Sequence, residues 1–201
     1  MIKFQGGWQL EGKVKIYYQL KRELKKLRLQ YRRWRVASQK GGENLSKAPK
    51  LLGIALPKGG SHFIHQVISG FASFGPFVLP GYPPVNRFED NSPLTEEQIV
   101  ENLIAMGTGE VRYGYIPCRD PYLPVLTEPD RANVFIYRDP RDLVVSHVFY
   151  ATDMYEEHGM HDYYQQELNT MEERLQVAIR GSEIPGFELP SIAERYQGFL
   201  P

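Results

Sequence analysis

Residues 51 to 70 read LLGIALPKGGSHFIHQVISG, and three kinds of local structure follow one another within them. Leu51, Leu52, Ile54, Ala55 and Leu56 form a short continuous apolar run, the pattern of a strand covered on both faces. Pro57, Gly59 and Gly60 break that strand, and the two glycines permit positive φ and a close approach of the backbone to a ligand. Phe63, Ile64, Val67, Ile68 and Phe71 then recur at helical spacing. Ser61 and His62 therefore stand at a helix N-terminus, where unpaired N–H groups face whatever fills the turn. An anion belongs there, with Lys58 beside it.

Downstream, the pattern repeats. Gly75 to Pro93 carries five prolines and reads as a long loop, a candidate lid. Thr95 followed by Gln98 is a capping-box pattern that opens a second helix through Ile99, Val100, Leu103 and Met106, closed by Gly107 to Gly109. Val111 to Ile116 is a strand candidate ended by Pro117, and residues 121 to 128 suit a short helix that starts at Pro121. Asn133 to Tyr137, NVFIY, is a second buried strand. It runs at once into RDPRDLVVSHVFYA, where Asp139 suits a helix cap, Pro140 the first turn, and Leu143, Val144, Val148 and Ala151 a buried face. Residues 152 to 168 are acidic and rich in Tyr and His. Helical segments are expected at Met171 to Ile179 and Pro190 to Phe199, separated by a turn over Gly181 to Pro185. Strands alternating with helices predict an α/β domain with an open parallel sheet, flanking helices and a ligand at the C-terminal strand ends.

Upstream, Lys13 to Val36 places Tyr17, Leu20, Leu24, Leu27, Tyr31 and Trp34 at spacings of three and four among Lys and Arg, a basic amphipathic helix. Three readings stay open for it: an apolar stripe laid on the domain with a solvated basic face, contact of residues 13–36 with an anionic membrane surface, or a nucleic-acid arm. Residues 1–40 are thus one unit, 41–50 a polar, turn-rich linker, and 51–201 the α/β domain. The chain's net charge of zero hides an asymmetry: residues 1–40 carry about +10 and the rest about −10. With 42% apolar residues the chain can form one sizeable core. It has no apolar run long enough to cross a membrane and no signal-peptide pattern, so a cytoplasmic location is expected, with peripheral membrane contact through the basic helix as an option. The single cysteine, Cys118, excludes an internal disulfide, and no spacing suggests a structural zinc site or any other metal.

The order of residues in the first turn separates two kinds of phosphate loop. A nucleoside-triphosphate kinase loop needs Gly, four residues, then Gly-Lys-Ser/Thr, so that the hydroxyl reaches magnesium. Here Pro57-Lys58-Gly59-Gly60-Ser61-His62 puts the lysine ahead of the glycines and lacks the first Gly. The order Pro-Lys-x-Gly-Ser-x-aromatic resembles instead the 5'-phosphosulfate loop of sulfotransferases that use 3'-phosphoadenosine 5'-phosphosulfate, PAPS. The second turn, Tyr137-Arg138-Asp139-Pro140-Arg141-Asp142-Leu143-Val144-Val145-Ser146-His147, resembles that family's 3'-phosphate motif, in which an Arg at the strand end and a Ser eight residues on hold the phosphate.

The resemblance, over residues 50 to 200, implies a P-loop-like sulfotransferase fold and PAPS as co-substrate, without a metal. It assigns Lys58 to catalysis and to the nucleotide, and Gly59, Gly60, Ser61, His62, Phe63, Arg138 and Ser146 to nucleotide binding. The acceptor is expected to be a small molecule, lipid or carbohydrate with a hydroxyl or amine, seated near the 76 to 93 loop and the aromatic 149 to 164 segment; no nucleic-acid partner is implied. Where the family has a His before a hydrophobic residue and Pro, this chain has Tyr115-Ile116-Pro117. His62 and His147 are therefore the candidate bases, with His65 close by. The family continues with another core strand and a basic Gly-containing segment, so the domain is expected to be incomplete at its C-terminal end. A nucleotide kinase, or an inactive fold relative serving as a binding or membrane-surface module, are the alternative functions.

Overall fold

The computed structural model describes the backbone of residues 7–199 and the side chains of residues 23–199. The chain folds as an α/β structure whose small open sheet has three parallel strands in the order β2-β1-β3, with helices around it. β1 is Lys50–Ala55, β2 Val111–Gly114 and β3 Arg131–Ile136. Leu51 pairs with Val111 on one side and Ala132 on the other, so the strand singled out in the sequence is the central one. Its position explains its composition. Leu52 and Ile54 face a core of Val85, Ile99, Leu103, Ile116 and Leu126, while Leu51 and Ala55 face Ile64, Ile68 and Val111. Gly53 lies on the second face, where a Cβ would meet Ile64 Cγ1 at 2.7 Å, so the missing side chain is what lets the following helix pack down on the sheet.

That helix is α3, Ser61–Phe74; the first two helices, α1 (Gly7–Lys40) and α2 (Gly42–Lys47), precede β1. The 41 to 50 stretch, expected as a linker, thus holds a helix of its own, anchored by buried Leu45. Helix α4, Glu96–Ile104, begins with the capping box read from the sequence: the Gln98 N–H donates to Thr95 Oγ1 and the Thr95 N–H to Gln98 Oε1. A short α5, Leu123–Leu126, leads into β3. Helix α6, Pro140–Phe149, follows β3 directly, capped by Asp139, and continues into a π-helical turn at Tyr150–Met154. Helices α7 (His161–Gln166), α8 (Met171–Arg180) and α9 (Ile192–Gln197) complete the described chain. Val144, Val148 and Ala151 pack against Met160, Tyr164 and Ala178 to form a second apolar cluster beside the sheet.

The first of the three readings of the N-terminal helix is corrected. Leu24, Leu27, Tyr31 and Trp34 are exposed, the last three at 60%, 60% and 65%. The basic side chains instead tie α1 to the domain: Arg32 donates to the Leu79 carbonyl (2.7 Å), Arg33 to that of Thr108 (2.9 Å), Lys40 to that of Phe74 (3.3 Å), and Lys25 pairs with Glu89. Long cationic side chains reach loop carbonyls while keeping their aliphatic stems along the helix, so α1 is held by its basic face and the stripe is turned outward. Tyr17 and Leu20 lie outside the residues whose side chains are described.

Candidate functional site

Parallel strands deliver their following turns to one end of the sheet, and ligands sit where successive connections leave in opposite directions. Such a point lies between β1 and β3. In the order β2-β1-β3 the chain runs from β1 through α3 and α4 to β2 on one side and then crosses back to β3 on the other. Ala55 and Ile136 are register partners, so the Leu56–Gly60 and Tyr137–Asp139 turns rise from adjacent strand ends.

The first turn is closed by the Gly59 N–H donating to the Leu56 carbonyl, 2.8 Å, with Pro57 and Lys58 at its centre. Pro57 suits the first central position, and the second needs positive φ, normally glycine's role. Here Lys58 occupies it at φ 64°. A lysine held in that region costs about 1 kcal/mol or more, a form of strain that clusters at functional positions. Gly59 could not carry a Cβ without pressing on Leu56 O at 3.0 Å, and Gly60, at φ 119°, is the N-cap of α3. No side chain caps that helix, and the first intrahelical donor is Ile64, whose N–H reaches the Gly60 carbonyl at 2.9 Å. The N–H groups of Ser61, His62 and Phe63 are thus left for a ligand.

In the second turn Asp139 accepts from the Arg141 N–H (2.9 Å) and from its guanidinium at 3.0 and 2.6 Å. Those bonds hold the Asp139 carboxyl down to about 2. With Asp139 occupied by Arg141, Arg138 keeps only a long ion pair with Asp142, 3.7 Å, and its side chain is half exposed at the strand end. Tyr196 on α9 donates its hydroxyl to the Arg138 carbonyl and pins the turn from beneath. Ser146 is partly buried two turns into α6.

Lys58 does not face the turn alone. Its ammonium lies over the Tyr150 ring, and it lines a cavity of about 310 Å³ with His147, His158, Met160, Phe187 and Arg195. Desolvation brings the Lys58 ammonium down to about 8. His147, on the inner face of α6, is 5% exposed, and burial first, then the charges of Arg195, His158 and Lys58, lowers it to about 3. Burial and the Lys58 charge also lower His158. The result is two partly desolvated cations, Lys58 and Arg195, and two imidazoles of lowered basicity around one space at the end of the sheet. A cation without a carboxylate partner in such a space stabilises negative charge far better than one in water.

The residues singled out in the sequence therefore divide. Lys58, Gly59, Gly60, Ser61, Arg138 and Ser146 lie on the two turns or the helices that open from them, and His147 joins Lys58 in the cavity. His62 and Phe63 are exposed on the first turn of α3, and neither lines the cavity. His65 packs edge to face on Tyr113, 5.2 Å between centroids, at a separate cavity that includes Arg112 and Tyr82. Tyr115 lies outside the Lys58 cavity. His158 and Arg195 belong to no motif of the sequence; the Tyr- and His-rich composition of residues 152 to 168 bears on His158, and nothing comparable marks Arg195. No family model, curated protein or solved structure matches this chain.

Proposed function

We propose that the chain has the P-loop-like sulfotransferase fold and moves a sulfuryl group from PAPS to a hydroxyl or amine acceptor. The observation that carries this reading is the pair of strand–turn–helix units on adjacent parallel strands, one presenting Lys58 and three free N–H groups, the other Arg138 and Ser146. The residues fit the co-substrate. A lysine-bearing cradle without a carboxylate suits a 5'-phosphosulfate, and a loosely paired arginine suits a second phosphate for its planar fork.

PAPS, when bound, supplies an activated sulfuryl group with a phosphate leaving group. Lys58 offsets the negative charge that grows on the leaving oxygen, and the N–H groups of Ser61, His62 and Phe63 hold that phosphate in place. Arg138 and the Ser146 hydroxyl hold the 3'-phosphate. The acceptor oxygen forms its bond to sulfur as the bond from sulfur to the phosphate oxygen breaks, and the acceptor's proton passes to an imidazole in the cavity. His158 suits that task better than His147, because a base lowered to about 3 takes a proton poorly near neutral pH.

The test is transfer of radiolabelled sulfate from PAPS to phenolic, lipid and sugar acceptors, by wild type and Lys58→Ala. Transfer is expected to fall at least ~100-fold in the variant, the scale of losing an oxyanion-stabilising donor. Undiminished transfer removes Lys58 from the mechanism, and magnesium-dependent ATP binding in its place favours a nucleotide kinase.

A specific observation also supports contact with an anionic membrane surface. The exposed stripe of Leu24, Leu27, Tyr31 and Trp34 is bordered along one edge, at 3.6 residues per turn, by exposed Arg28 and Arg35. Aromatic and aliphatic side chains beside cations suit the boundary between acyl chains and acidic headgroups.

A further inference from the structure

Three buried side-chain atoms without a hydrogen-bond partner lie together: Nε2 of His147, the hydroxyl of Tyr164 and Nε of Arg195. The His147 and Tyr164 rings meet edge to face with centroids 6.0 Å apart, and the Arg195 charge acts on both. His147 and Arg195 line the Lys58 cavity, with Tyr164 behind the imidazole. A buried polar group left unsatisfied costs about 1–3 kcal/mol, and two of these three side chains, His147 and Arg195, line the cavity. Arg195 is anchored by Nη2 donating to the Ala178 carbonyl, 2.9 Å, which leaves Nε unused. The carboxylate among the lining residues, Glu188, is exposed and accepts from the Gly186 N–H at 3.2 Å. The inner wall therefore combines the two cations Lys58 and Arg195 with an unpartnered imidazole, separated by apolar Met160, Phe187 and Leu189.

We propose that this cavity is the acceptor pocket and that it takes an anionic acceptor, a hydroxyl compound bearing its own carboxylate or similar oxyanion. Arg195 and His147 hold that oxyanion, and the acceptor's hydroxyl stands between Lys58 and His158. The proposal rests on the sulfotransferase reading. Its reason is electrostatic: a neutral acceptor would leave Arg195 desolvated and unpaired, whereas an oxyanion turns the same burial into charge-assisted hydrogen bonds. Lys58 then remains available for the leaving phosphate. A cavity of about 310 Å³ is at the small end of ligand sites, matched to a single ring with one charged substituent.

The test is calorimetric titration of the full chain with 4-hydroxybenzoate and its neutral isostere 4-hydroxybenzamide. The carboxylate is expected to bind about tenfold or more tighter, the equivalent of one charge-assisted contact. Arg195→Met collapses that preference toward unity, and Arg195→Lys restores part of it. Equal affinities in wild type, or a preference that survives in folded Arg195→Met, overturn the proposal. If Arg195→Met fails to fold by circular dichroism, His147→Phe replaces it, and an undiminished preference there has the same meaning. Adenosine 3',5'-bisphosphate is titrated separately into wild type. Nucleotide binding without carboxylate preference overturns the anionic pocket and leaves the nucleotide reading standing. Carboxylate preference without nucleotide binding keeps the anion site and overturns the sulfotransferase reading on which its role as an acceptor pocket depends.

Discussion

Lys58 combines two costs at one residue, a backbone in the left-handed region and an ammonium partly removed from water. The backbone cost predicts an order of stability: Lys58→Gly exceeds Lys58→Ala by roughly 1 kcal/mol in denaturant unfolding, since glycine alone adopts φ near 64° without strain. Both variants lose anion binding. The ionisation predicts a pH profile with a definite sign. The free protein loses the ammonium as pH rises past about 8, so pyrophosphate affinity should fall by up to about tenfold per pH unit above that point. Calorimetry from pH 7 to 9.5 reads this, and a profile equally steep in Lys58→Met would assign it to another group. His147 gives the opposite limb. Its folded value near 3 lies below the ordinary 6.5, so the unfolded chain takes up the proton first, and stability present above pH 6.5 is lost as pH falls toward 3. His147→Phe should reduce the stability lost between pH 7 and 4 by on the order of 2 kcal/mol, measured by urea unfolding at both.

Among the elements, α1 makes the sharpest departure from its sequence pattern. An apolar stripe normally implies burial on the domain, yet Arg32, Arg33 and Lys40 hold the helix by its polar side. An outward stripe edged by Arg28 and Arg35 predicts sedimentation with vesicles containing phosphatidylserine and little with neutral ones. Leu27→Glu combined with Trp34→Glu should abolish it, and salt should weaken it because each lysine or arginine contributes about 1 kcal/mol near an acidic surface. Equal sedimentation with neutral vesicles would defeat the charge-based account. The elements that were legible have local causes: the capping box at Thr95 and Gln98, the Asp139-Pro140 helix start, and the double-faced apolar run of β1 need only neighbours in sequence. Helix α2 hid in a stretch with Gly41, Gly42 and Ser46 because its support is tertiary, through buried Leu45. His158 and Arg195 were illegible for the same reason. They reach Lys58 only through the π-helical turn after α6 and the packing of α8 and α9, neither of which leaves a periodic signature.

At the scale of the whole molecule, the sheet order places both turns at one end of two adjacent strands, and the packing of α3 on Gly53 sets how the first turn stands over the sheet. Gly53→Ala would drive a Cβ to 2.7 Å from Ile64 Cγ1 and lift α3, with a loss of about 1–3 kcal/mol for overpacking. The two turns differ in what they can grip. The first offers a lysine and helix N–H groups within one compact cradle, enough for a diphosphate-like anion by itself. The second adds Arg138 and Ser146 on the neighbouring strand and helix, which only a ligand with a second, separated phosphate can reach. Pyrophosphate and adenosine 3',5'-bisphosphate therefore distinguish them. Arg138→Ala should weaken the nucleotide by about 1.5–3 kcal/mol, the value of a charged hydrogen bond, and pyrophosphate by much less. Lys58→Ala should weaken both. Measured in parallel by calorimetry at one ionic strength, equal losses of both ligands in Arg138→Ala would mean that the second turn acts through the general field of the site and holds no phosphate of its own.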